Sequence, residues 1–219
     1  YLYVVDSNVG WSKVDRNIER NVTYSVDLSR EERPRARLTV EYVNYSGPGS
    51  VPCEPQWQNR GTDYNQLVNA CYWDFIRVYI PNESRMLSQT SLPLPELSVS
   101  VEIGVGTPGQ ETGALSSSHD KVVFSGLAII PALESREVEL AYDLPVDTVM
   151  SDGDYLIYTL TMQKQPGVRQ RKLSLELVPP DGHSVASSSM PYAAGNDGKV
   201  TIPIVLTRDE TIRVTFSKD

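Results

Sequence analysis

Two histidines and two cysteines are all that 219 residues contain of those types, and each scarcity removes a class of function. A Ser–His–Asp hydrolase needs an imidazole beside its nucleophile, itself oriented by a carboxylate. Only His119 and His183 could serve; both sit in Ser-rich stretches, and no Gly-x-Ser-x-Gly elbow is present. A zinc site wants more ligands than Cys53 and Cys71 offer without a nearby histidine. Gly104-Val-Gly106 lacks the third glycine of a dinucleotide loop. The expectation is therefore no metal and no cofactor.

Long apolar runs are missing as well. Nothing approaches the ~20 residues that cross a bilayer, so no membrane insertion by this stretch is expected, and no long amphipathic helix appears. Positive charge is also in deficit, with 20 Lys and Arg against 28 Asp and Glu and a net charge of −8. Such a balance repels a phosphate backbone, and the arginines are scattered, which excludes nucleic acid as a partner. The densest basic group, Arg169-Gln-Arg-Lys172, follows the turn Gln163–Gly167 and reads as a solvated strand edge.

What is present is alternation. Arg35–Tyr45 and Glu134–Tyr142 place charge on one face and Val, Leu, Ala or Tyr on the other, with period two. Strands are expected at 2–6, 18–28, 35–45, 71–80, 85–89, 96–104, 121–130, 135–144, 155–164, 169–178, 199–206 and 211–217. The pair at 18–28 and 35–45 reads as a hairpin, and the short linker 131–134 predicts that 121–130 and 135–144 are antiparallel neighbours. In Cys71–Ile80, Trp73, Phe75 and Arg77 share one face, with a bulge expected to bring Tyr72, Ile76, Val78 and Ile80 onto the other. The fold class is all-β, an antiparallel sandwich of one large or two consecutive units. The division expected is 1–145, carrying a long loop at 46–70, and 146–219, with a hinge in 145–154.

Cys53 and Cys71 lie in a Gly-, Pro-, Asn- and Gln-rich stretch, and a disulfide between them is expected, which implies an oxidising compartment. Loops this long are uncommon in compact domains unless functional or disordered. Twelve Tyr and three Trp suit surfaces that are apolar on one side and wet on the other. Trp57, Tyr64, Tyr72 and Trp73 gather around the cysteine loop and form the expected ligand platform. The alternative is that Trp73 belongs to the core and Tyr72 closes a sheet. Among the acids, Asp15, Asp74 and Asp154 are the first to inspect for the paired carboxylates of a glycosidase. Ser151-Asp-Gly-Asp154 reads as a tight turn rather than a calcium loop.

Four stretches, Tyr3–Asp15, Tyr72–Pro81, Ala141–Pro145 and Gln163–Gly167, together resemble the C-terminal part of the bacterial envelope proteins grouped as "domain of unknown function 4012". The resemblance covers roughly residues 2–177. It implies a longer protein with an N-terminal anchor outside this stretch, an extracellular or cell-surface location, and involvement with surface polysaccharide or another envelope protein. It transfers no catalytic residue; within its motifs Asn8, Lys13 and Asp15 form a polar set after the first strand and Arg77 lies within an aromatic strand, where a buried Lys–Asp or Arg–carboxylate pair would lock that turn against the sheet. The function expected is a non-catalytic binding module. The alternatives are a stalk or spacer and a carboxylate-based glycan hydrolase or transferase.

Overall fold

A strand with one apolar face can bury that face only against another layer. The computed structural model, which describes residues 1–10, 12–30, 32–47, 53, 63–94, 109–168 and 170–219, does this with two facing sheets. In chain order the strands are β1 (Leu2–Val5), β2 (Ile18–Asp27), β3 (Arg35–Asn44), β4 (Tyr72–Pro81), β5 (Arg85–Gln89), β6 (Ala114–Ser118), β7 (Lys121–Ile130) and β8 (Ser135–Asp143). They continue with β9 (Val149–Asp152), β10 (Tyr155–Gln163), β11 (Arg171–Val178), β12 (His183–Ser188), β13 (Ala193–Ala194), β14 (Val200–Leu206) and β15 (Glu210–Lys218). A short 3-10 helix, Val14–Asn17, precedes β2, and helix α1, Tyr64–Val68, precedes β4.

The first sheet runs β12-β15-β10-β1-β4-β7-β6, with β9 also paired to β10; the second runs β13-β14-β11-β2-β3-β8-β5. Pairing is antiparallel except at two joints, where β1 meets β10 and β2 meets β11 in parallel. Those joints place strands from both sides of residue 145 in each sheet. One buried apolar cluster extends accordingly from Leu2 through Tyr72 and Leu140 to Phe216. The all-β sandwich predicted by alternation is the observed architecture.

The hairpin of β2 and β3 forms in full register, from Ile18–Asn44 to Asp27–Arg35. Three expectations are corrected. First, β7 and β8 are not neighbours: β7 pairs with β4 and β6, and β8 with β3 and β5. Their linker turns the chain from one sheet to the other, with Leu133 at φ 63 and with Asn44 exchanging backbone hydrogen bonds with Leu133 and Glu134. Second, β4 carries no bulge, because Tyr72, Ile76, Val78 and Ile80 already share parity and face the core in unbroken register with β7. Third, the described basic residues of the 169–172 group do not lie on a sheet edge: Arg171 and Lys172 open β11, which runs between β14 and β2, and Arg171 points inward and is buried while Lys172 faces water. The strand expected at 96–104 lies outside the described residues.

Candidate functional site

Parity explains where the charged side chains go. Leu2 and Val4 face the core, so Asp6 does also; Arg20 stands in register with Ile18 and Val22, Asp74 with Tyr72 and Ile76, and Arg171 with Leu173 and Leu175. The first sheet thus supplies two buried carboxylates and the second supplies two arginines. They meet between the layers. Asp6 Oδ2 lies 2.9 Å from Arg20 Nε and 2.5 Å from Arg171 Nη2, while Tyr42 donates its hydroxyl to Asp6 Oδ1 at 2.7 Å. Arg20 Nη2 donates to the Tyr72 hydroxyl at 2.7 Å, and that hydroxyl donates to Asp74 Oδ1 at 3.1 Å.

The loops around this network tie it to the surface. Gln165, in the turn before β11, accepts the Asp6 backbone N–H at 2.9 Å and donates to the Asp6 carbonyl at 2.7 Å, behaving as one more strand partner for β1. Ser7 donates its backbone N–H to Asp74 Oδ1 at 2.7 Å. Asp15, half exposed, receives Arg20 at 3.1 Å and the Asn8 amide at 2.7 Å. Asp15 is thus held by an arginine, while Lys13 Nζ lies 5.3 Å from the centroid of the Tyr64 ring.

Burial and neighbouring charge set the protonation of these groups. Asp74 is pushed well above the usual carboxylate range, first by desolvation and second by the charge of Asp6, against the opposing pull of Arg20. Its Oδ2 has no hydrogen-bond partner. Desolvation, followed by the charge of Asp6, likewise raises the Tyr42 hydroxyl well above its ordinary value. Arg20 remains a cation: burial works against its charge, but Tyr72 and Asp6 outweigh it. Arg171 keeps a buried Nη1 without a hydrogen-bond partner beside a cavity of about 10 Å³. Two of the acids singled out in the sequence, Asp15 and Asp74, belong to this network; Asp154 lies in the tight β9–β10 turn, where Gly153 takes φ 60.

The two histidines stand apart. His119 occupies the β6–β7 turn with a ring nitrogen 2.8 Å from Ser118 Oγ, and His183 opens β12 with a ring nitrogen 2.8 Å from the Asp181 carbonyl. Among the described hydrogen bonds no carboxylate reaches either ring. The Cys53–Cys71 disulfide forms, joining the cysteine loop to the base of β4 with its Cα atoms 5.2 Å apart.

Of the expected ligand residues, Trp57 lies outside the described residues. Tyr72 is fully buried inside the sandwich and Trp73 is 5% exposed, so neither offers a ring face to a ligand. Tyr64 opens α1, which Asp63 caps by accepting the Asn65 N–H; the residue is 52% exposed and its hydroxyl accepts from Arg16 at 3.1 Å. The aromatic face that parity does build is elsewhere, on the outside of the first sheet.

There, Tyr3 of β1 lies opposite Tyr79 of β4, with ring centroids 5.4 Å apart, and Tyr79 lies opposite Val123 of β7. The next rows carry Val5, Arg77 and Ser125, then Phe75 and Leu127, then Trp73 and Ile129. Phe75 is 36% exposed. Beyond β1 the same face continues with Gln163, Thr161 and Thr159 of β10, paired to Thr211 and Arg213 of β15. Among the outward positions of the described strands of this sheet, Asp152 is the one carboxylate. In the turn before β15, Asp209 comes near the Tyr1 ring and accepts the Lys164 N–H at 2.8 Å. The outer face of the second sheet is the opposite, a mosaic in which Glu19, Glu41, Glu139 and Glu176 sit among Arg35, Arg37 and Lys172.

No protein-family model matches the chain, and no curated protein matches it in sequence. Solved structures show distant likeness. A zinc metallopeptidase of the M1 group from Deinococcus radiodurans aligns at 8% identity and a TM-score of 0.36, over 93% of this chain and 43% of that one. A protein from Legionella pneumophila named for nutrient binding aligns at 6% identity and a TM-score of 0.41, over 97% of this chain and 70% of that one. This chain therefore spans less than half the length of the metallopeptidase. Neither likeness carries an argument about function.

Proposed function

We propose that the chain is a non-catalytic, extracytoplasmic β-sandwich module of a bacterial cell-envelope protein that binds or organises surface polysaccharide or a protein partner. The observation that carries this reading is the outer face of the first sheet. In a chain with 28 acids, its aromatic row of Tyr3, Tyr79 and Phe75 lies beside Val5, Ser125 and Leu127 and the Gln163 and Thr161 of β10, and Asp152 is the one carboxylate among the described outward strand positions. Faces of this chemistry suit ligands that are apolar on one side and hydroxylated on the other. The disulfide supports an oxidising compartment, and the resemblance carried by the Tyr3–Asp15 and Tyr72–Pro81 stretches supports the envelope.

A carboxylate-based hydrolase would need two acids converging in a cleft open to a sugar. Asp6 and Asp74 converge instead within the sandwich, buried and hydrogen-bonded. The spacer reading draws on one specific observation: ion pairs from Asp6 to Arg20 and Arg171 clamp the two sheets together, as a stiff element requires. Affinity electrophoresis of the folded protein through gels containing envelope polysaccharide separates the readings. Saturable retardation is expected for the binding module, and unchanged mobility at every polymer concentration would favour the spacer.

A further inference from the structure

Arg77 stands at the centre of the aromatic face. Along β4 it lies between Phe75 and Tyr79, and across the sheet it lies opposite Val5 and Ser125. Its Nη2 donates to Ser7 Oγ at 3.2 Å, and its Nε is buried without a hydrogen-bond partner. Among the described ion pairs no carboxylate reaches it, whereas Arg20 and Arg171 share Asp6, Arg35 holds Asp143 and Arg37 holds Glu139. Half-buried arginines ordinarily gain a counter-charge, because desolvating an unpaired cation is costly. Among the described residues Arg77 has no such counter-charge, and the outward strand positions of this face offer only Asp152 at its margin.

A guanidinium fixed by its strand, partly desolvated and without a counter-charge among the described ion pairs, is a donor for the oxygens of a carboxylate or phosphate. Four residues of strand separate Phe75 from Tyr79, about 13 Å, which allows a short stretch of polymer to lie across both rings with Arg77 beneath it. We propose that Arg77 is the subsite for an anionic substituent, carboxylate or phosphate, of a glycan whose sugar rings stack on Tyr3, Tyr79 and Phe75. This rests on the reading of the chain as a glycan-binding module and specifies the ligand as acidic. Arg213 and Lys121 on the same face add long-range attraction that salt would screen.

Isothermal titration of the folded chain tests it with polygalacturonate, its fully methyl-esterified form, poly(glycerol phosphate) and neutral dextran. The wild type is expected to bind one or both anionic polymers at least tenfold more tightly than the ester and dextran. Arg77→Gln should remove that preference while leaving affinity for the ester within about twofold, and Arg77→Lys should restore part of it. The carboxylate and phosphate polymers, compared with each other, identify which anion the subsite takes. Binding in which neither anionic polymer is preferred over the ester and dextran, or an unchanged preference for the anionic polymers in Arg77→Gln, would overturn the Arg77 assignment and leave the binding-module reading standing. Binding of none of the four polymers by wild type would overturn both. A Phe75→Ser variant provides the second arm should Arg77→Gln fail to fold: it should weaken every polymer alike.

Discussion

At the scale of single residues, two neighbours on one strand make opposite predictions. Arg171 faces the core and holds Asp6; Lys172 faces water and holds Glu19 at 3.1 Å. Removing one partner of a buried pair leaves an uncompensated charge, which costs about 3–5 kcal/mol. Arg171→Ala should therefore lower the unfolding free energy by about 3 kcal/mol in urea denaturation, Arg20 still covering part of the Asp6 charge. Lys172→Ala should leave it nearly unchanged. Similar losses in both variants would contradict the inward placement of Arg171.

Asp74 makes a prediction whose sign depends on pH. Its carboxyl is raised in the folded state by burial and by Asp6, so the folded protein holds that proton more tightly than the unfolded chain. Stability from this group is fully present below the unfolded aspartate value of about 3.9 and is lost as pH rises toward the folded value. Asp74→Asn imitates the protonated form. Relative to wild type, the variant should gain stability as pH is raised from 4 to 7.5, measured as paired urea midpoints. An offset that stays constant over that range would contradict the raised carboxyl. Both predictions rest on residues that alternate with core residues, Asp6, Arg20, Asp74 and Arg171, although Arg171, grouped with basic neighbours, reads in the sequence as a solvated edge. What could not be read was the pairing across layers, because alternation says which way a side chain points and not which strand it meets.

At the scale of elements, strands announced themselves where Val, Leu and Ile alternate with polar residues. The hairpin of β2 and β3 and the strands β4, β7, β8, β14 and β15 are of this kind. β6 and β12 were hidden because Ala-Leu-Ser-Ser-Ser and His-Ser-Val-Ala-Ser-Ser give little apolar contrast, and their places come from edge pairing with β7 and β15. The β7–β8 connection misled because a four-residue linker serves a hairpin and a sheet-to-sheet crossing equally well. The burial of two expected ligand residues escaped the sequence for a related reason: Tyr72 and Trp73 cluster in sequence, which says nothing of their exposure, while Tyr3 and Tyr79, distant in sequence, meet only through the β1–β4 register. The disulfide belongs to this scale as well. In the chain-entropy view a loop of this length contributes about 3 kcal/mol. Urea unfolding with and without reductant should differ by that amount, with alkylation and intact mass confirming that no free thiol is present beforehand. Unchanged stability after verified reduction would contradict a structural role for the bond.

At the scale of the molecule, both sheets are continuous through parallel joints, β1 with β10 and β2 with β11. Asp6 on one side of residue 145 and Arg171 on the other meet within a single buried cluster. Thermal unfolding followed by tryptophan fluorescence and by far-ultraviolet circular dichroism should therefore give coincident transitions. Two separated transitions would mean that residues 1–145 and 146–219 unfold independently. Continuity also gives the molecule two broad outer faces of different character, one charged and one aromatic, and the functional account depends on that contrast.

The most direct measurement is therefore binding to envelope polysaccharide by wild type, by a first-sheet variant, Phe75→Ala with Tyr79→Ala, and by a second-sheet variant, Glu41→Ala with Glu176→Ala, each confirmed folded by circular dichroism. The account predicts saturable binding by wild type and by the second-sheet variant, with at least tenfold weaker binding when the aromatic face is stripped. Undiminished binding by the first-sheet variant would contradict it.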